Sequence, residues 1–239
     1  MRILLLVVLV ASCQPEQRLD PDTPAKPQLS AFPVAVQRTH RRMHERFAAA
    51  RQIEYAITRG DLQGATASAQ VIASLDELGF LPAWQPYVTS VRAAAHQLEL
   101  AADLSTAGVR FGALGLQCAA CHEALGAKLA LFDEPRPSTN PQLASRMVDH
   151  QWATMRMWEG LIASSTVRWQ EGAHALTAMP SNIIAEADTR TFTGAVDDVA
   201  RVRLLATRAQ SAEGDVARAD LLGTLLGTCA HCHAMLRDR

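Results

Sequence analysis

The chain has 239 residues, of which 49% are hydrophobic and 20% charged, and its formal net charge is −1. Such a length accommodates two domains of about 100 residues, each able to bury a core, and a near-zero charge argues against a nucleic-acid partner, which needs a basic excess. Aromatic residues make up only 5%, alanine and leucine abound, and strand-length β-branched runs are few, so the composition points to an all-α fold.

The first segment, MRILLLVVLVASC, carries Arg2, the apolar run Ile3 to Val10, and then Ala11 and Ser12 before Cys13. The run is too short to span a bilayer as a helix and reads as the core of an export signal over residues 1–12. Its ending resembles a bacterial lipoprotein signal, which implies that Cys13 becomes the lipidated first residue of the mature chain. The competing reading is a plain signal peptide with a chance cysteine near its end. Gln14 in place of Asp gives no inner-membrane retention signal, which favours the outer membrane. Residues 13–34 contain Pro15, Pro21, Pro24, Pro27 and Pro33, a composition that makes an extended tether.

A first half follows over residues 35–132. Met43, Phe47, Ala50, Ile53 and Ile57 keep a helical period up to Gly60. Asp61 is placed to cap a second helix, LQGATASAQVIASLDEL, which ends at Gly79. Phe80 to Pro86 reads as a loop, VTSVRAAAHQLELAADL as a third helix, and TAGVRFGALGLQCAACHEALGAKLAL as a fourth. Residues 133–141 hold three prolines and read as a linker.

The second half, 142–239, repeats the plan. Its expected helices run from Asn140 to about Arg168, Gln170 to Met179, Phe192 to Gln210, and Asp215 to Leu236, with PSNIIAEADTR as a loop. Both halves close on a Gly/Leu-rich run into a five-residue motif: CAACH at Cys118 to His122 and CAHCH at Cys229 to His233. Aligned on these motifs, Gly112 falls on Gly223. A duplication is the economical account, and short connections favour antiparallel neighbours, hence two tandem antiparallel four-helix bundles.

C-x-x-C-H on a helix has a mechanical meaning. Cysteines three apart share a face, so both thiols can add to the two vinyl groups of one haem, and the histidine four residues after the first cysteine can turn onto the iron. The sequence therefore predicts two covalently attached haem c groups, one on Cys118, Cys121 and His122, the other on Cys229, Cys232 and His233, with the two histidines as proximal ligands. A thioredoxin-like redox pair would want a βαβ context, and no strand precedes either motif. A four-cysteine zinc site would have to join two pairs whose first cysteines are 111 residues apart.

A half of about 100 residues with C-x-x-C-H in its last helix resembles the cytochrome c′ and cytochrome c556 family, through GLQCAACH and GTCAHCH. The likeness covers nearly all of both halves and implies a fused dihaem version. In that family a first-helix residue, roughly four turns before the closing glycine, covers the far face of the haem. An apolar residue there leaves the iron five-coordinate, whereas a methionine binds it. Counting back from Gly60 lands on or beside His44, and the matching residue of the second half is taken as His150, so the resemblance implies His44 and His150 as sixth ligands. Met43, Met147 and His40 are rivals. His96 and His174 fall at unmatched positions, His231 points away from the iron by helix geometry, and Trp152, Trp158 and Trp169 read as core or haem-edge packing.

The function expected is transfer of single electrons between periplasmic or membrane redox proteins by a lipid-anchored carrier on the periplasmic side of a bacterial membrane, not an enzyme. The alternative is a module that binds or senses NO or CO on five-coordinate iron. Members of the family often pair, so the resemblance leaves room for a homodimer.

Overall fold

The computed structural model describes residues 33–74, 81–131, 133–137, 143–178 and 193–237. The export signal, Cys13, most of the tether, the end of the second expected helix and the loop PSNIIAEADTR lie outside these residues. Among the described residues the fold is all-α, with eight helices: α1 (Pro33–Thr58), α2 (Leu62–Ser74), α3 (Gln85–Glu99), α4 (Leu104–Leu125), α5 (Leu143–Ile162), α6 (Thr166–Thr177), α7 (Thr193–Gln210) and α8 (Asp215–Arg237). None is long and apolar enough to cross a membrane.

The stops are written in turn chemistry. Gly60 takes φ +74° after α1, a left-handed conformation that costs a glycine nothing, and the Asp61 carboxylate accepts from the Gly64 N–H at 2.9 Å to start α2. A short 3₁₀ turn at Pro82–Trp84 leads straight into α3, which begins at Gln85 inside the expected loop because Pro86 fits the first turn of a helix. Asp103 caps α4 through the Thr106 N–H at 2.7 Å, and Gly126 closes it at φ 60°.

The second half departs from expectation at one place. The first helix, expected to run to about Arg168, ends at Ile162, and the second, expected from Gln170, already starts at Thr166. Ser164 adopts φ 48° and Ser165 caps α6 by accepting from the Arg168 N–H. Serine rarely takes that backbone conformation, so no glycine marks a break that Gly60 marks in the first half. The backbone bonds agree: Gly60 N–H reaches Ile57 O and Asp61 N–H reaches Ala56 O, while Ser164 N–H reaches Leu161 O and Ser165 N–H reaches Gly160 O. Gly60 and Ser164 are therefore the matching ends of α1 and α5.

Within each half, consecutive helices pack on one another, yet the most extensive helix pair is α4 with α8. These two helices touch backbone to backbone. A Cβ on Gly108 would stand 2.6 Å from Gly223 O, one on Gly223 2.8 Å from Gly108 O, one on Gly227 3.2 Å from Ser105 Cα, and one on Gly112 would collide with Ala219 O. As the number rises on α4 it falls on α8, so the helices run antiparallel. The glycines that the sequence aligns as copies, Gly112 and Gly223, both serve this one crossing.

The linker's described part, 133–137, is fastened along α5. Arg136 grips Asp149 with two bonds of 2.7 Å, Arg156 donates to Asp133 and to Glu134 O at 2.8 Å, and Trp152 Nε1–H donates to Glu134 O at 3.0 Å. Buried apolar residues from all eight helices meet in one main cluster, including Ile53, Ala69, Leu98, Phe111, Trp158, Trp169, Ala206 and Leu222. Phe111 of α4 stacks on Trp158 of α5 with ring centres 4.3 Å apart, over Gly115, where any side chain would strike that ring.

Candidate functional site

Both C-x-x-C-H motifs lie in the last turns of the crossing helices. The crossing is centred near Arg110 and Leu221, and each motif begins about two turns beyond it in the opposite direction. At 1.5 Å per residue this separates the first cysteines by roughly 24 Å along the antiparallel axes. The four thiols do not converge, and among the described residues no three His, Cys, Asp or Glu side chains group as a bare metal ion would need.

The thiols themselves are in apolar surroundings. Burial pushes Cys118 and Cys229 up to about 12 and Cys121 and Cys232 up to about 11. A reactive dithiol needs the opposite, a depressed value beside positive charge or a helix N-terminus. These cysteines sit at C-terminal ends of helices.

Each motif histidine is held by the other half of the chain. His122 Nδ1–H donates to the carbonyl of Ile162, the last residue of α5, at 2.8 Å. His233 Nδ1–H donates to the carbonyl of Thr58, the last residue of α1. A carbonyl only accepts, so Nδ1 carries the proton in both rings and Nε2 keeps its lone pair. This is the tautomer and the kind of support that a metal-binding histidine uses. Desolvation lowers the His122 pKa, which also favours the neutral ring.

The N-terminal parts of the same two helices face the motif of their own half. Counted from the matching ends Gly60 and Ser164, Met43 pairs with Met147, His44 with Val148, and Arg46 with His150. Met43 packs beside Trp84, Val88 and Leu125, the last residue of α4. Met147 packs beside Ala195, Val199, Cys232 and Met235. Arg46 is buried, close enough to Cys118 and Cys121 for both to feel its charge. His150 is half-buried, close enough to His233 for the two rings to interact, and desolvation lowers its pKa to about 4. Its Nε2 has no hydrogen-bond partner among the described residues.

His44 and His150 are therefore not equivalent. The expected match counted back from a glycine that the second half lacks. His44 is exposed and stands two residues, about 200°, around the helix from Arg46, which puts it on the far side from the motif. His40 is exposed as well. His231 turns outward onto Asp198, with Nδ1 2.8 Å from the carboxylate, and His96 pairs with Glu99 at 2.9 Å. Trp158 and Trp169 are core residues, whereas Trp152 lies under the guanidinium groups of Arg136 and Arg156.

One further group was not singled out from sequence. Glu54, on α1 between the two ends just described, is fully buried. It accepts from Thr154 Oγ1 at 2.5 Å and from Gln151 Nε2, both on α5, and its charge reaches Cys229. Nothing in a helical run of AAARQIEYAIT marks it, since a glutamate one turn from an isoleucine is ordinarily solvated.

The residues present fit a haem at each motif. Two thiols on one helical face lie in apolar surroundings, the histidine that follows has its imidazole orientation fixed and Nε2 available, and the buried His150 Nε2 is unanswered at the second motif. No protein-family model, curated protein or solved structure matches the chain.

Proposed function

We propose that the protein is a dihaem c-type cytochrome that carries single electrons between redox partners. The observation that carries this reading is the pair of cross-half hydrogen bonds, from His122 to Ile162 O and from His233 to Thr58 O, which orient both motif imidazoles and leave each Nε2 the lone pair that iron binding needs. A haem supplies the one-electron couple when bound. The chain's own part would be to hold it through two cysteines, to orient one ligating histidine, and to screen it from water with the apolar residues of α1, α3, α5 and α7.

Electron transfer agrees with what surrounds the motifs. Each is approached by a side chain able to be a sixth ligand, Met43 at the first and His150 or Met147 at the second, so neither iron needs to gain or lose a ligand as it changes charge. The halves are proposed as two four-helix units of the cytochrome c′ and c556 type that share one core. Lipidation at Cys13, the proline-rich tether and a place on the periplasmic side of a bacterial membrane complete the proposal, and they rest on the sequence of residues 1–34. Partners would be periplasmic or membrane redox proteins.

The test is to purify the soluble body after expression with a c-type haem attachment system, then measure its intact mass and its oxidised low-temperature EPR spectrum. Two added haems and two low-spin signals are expected, and replacing Cys118 and Cys121 by alanine removes one of each. Recovery of the bare polypeptide mass overturns the reading. Two haems with a high-spin signal replace electron transfer by binding of NO or CO at an open iron.

A further inference from the structure

The halves match in sequence plan, but the turn of α1 and α5 that faces the motifs does not. Met43 and Met147 stand at the same place, and one turn on, the second half has His150 where the first has Arg46. Arg46 is buried and His150 is half-buried with its Nε2 enclosed, both on the motif side. An imidazole can bind iron. A guanidinium cannot, since it has no lone pair to give and does not lose its proton.

We propose that the two centres are chemically unlike: His150 completes the coordination opposite His233, while opposite His122 the ligand is Met43, with Arg46 as a fixed positive charge beside the haem. This rests on the reading that each motif holds a haem, and it adds a ligand set and a direction to it. Two contributions separate the potentials, and they have the same sign. A His/Met pair raises the potential relative to a His/His pair. A buried arginine opposes the extra positive charge of the oxidised centre and raises it further, because such charges interact strongly away from water. The centre at Cys118–His122 is therefore the more oxidising. An electron delivered by a donor protein at the second motif runs downhill to the first and leaves there for an acceptor of higher potential.

Geometry also says why the alternatives at each centre lose. His44 points away from the first motif. At the second centre Met147 already has apolar neighbours in Ala195 and Val199, whereas the His150 Nε2 is buried with no partner among the described residues and gains one by binding metal. An unpaired polar atom away from water is destabilising, so coordination removes a penalty that the second half otherwise carries.

The experiment is EPR-monitored redox titration of the holoprotein, with the far-red absorption band of methionine-bound ferric haem as a second readout. Expected are two low-spin signals of different anisotropy, two separate midpoints, and one haem's worth of the methionine band. His150→Ala turns the low-midpoint signal high-spin and leaves the other untouched. Met43→Leu abolishes the methionine band, which Met147→Leu leaves in place. Arg46→Gln lowers only the upper midpoint and keeps the band, so it reads the charge without disturbing the ligand. Two identical low-spin signals with one shared midpoint overturn the proposal while leaving the dihaem reading intact. So does a methionine band of two haems' intensity, or a His150→Ala protein whose spectrum is unchanged. A protein without haem fails at the earlier step, and its intact mass tells the two failures apart.

Discussion

Glu54 shows how one residue can set a pH dependence for the whole fold. Burial raises its pKa to about 7, against the opposing bonds from Thr154 and Gln151 and the charge of Arg51. In the unfolded chain the group titrates in the ordinary glutamate range, near 4.3. Between the two values the folded chain holds a proton that the unfolded chain has released, so stability falls as the pH rises through that window and levels off above about 7. The expected change is on the order of 3 kcal/mol. Glu54→Gln keeps the shape and removes this slope, and urea midpoints at pH 5 and pH 8 check it: the difference between them shrinks in the variant. The same scale explains what the sequence could and could not disclose. The six motif residues stand out in the sequence by their spacing alone, and the structure keeps each set of three on one helix. The facing residues do not stand out, because matching α5 to α1 depends on Ser164 in a left-handed turn. A reader of letters looks for glycine there and slips by two positions, from Arg46 to His44.

At the scale of elements, the crossing of α4 and α8 decides where both motifs lie. Helix existence was readable nearly everywhere from the apolar period, and Gly60, Asp61 and Asp215 were readable as boundaries. What the apolar faces pack against was not. Gly108 and Gly112, one turn apart, say that something comes close, but the partner is a helix more than 100 residues away in sequence, and periodicity has no term for that. Gly112→Ala places a methyl group against Ala219 O, where only backbone movement gives room, and is expected to cost about 2–3 kcal/mol. Val109→Ala, exposed on the same helix, stays within about 0.5 kcal/mol. Thermal or urea unfolding followed by helical circular dichroism separates the two.

For the molecule as a whole, a core shared by all eight helices means that the halves hold each other without the covalent linker. A protease site inserted between Ser138 and Asn140 and then cut is expected to leave the two pieces eluting together on gel filtration. Their separation would show that the shared core contributes little. The duplication was visible in the sequence, while the exchange of end carbonyls between the halves was not, because a backbone oxygen has no signature in the letters. That exchange also bears on how the protein is made. During synthesis the N-terminal half is made first, with its motif complete but without α5, which brings the Ile162 carbonyl to His122. The second motif emerges last, when Thr58 is already available to His233. The two motif histidines are thus fixed on different schedules, with His122 left turning freely until α5 arrives.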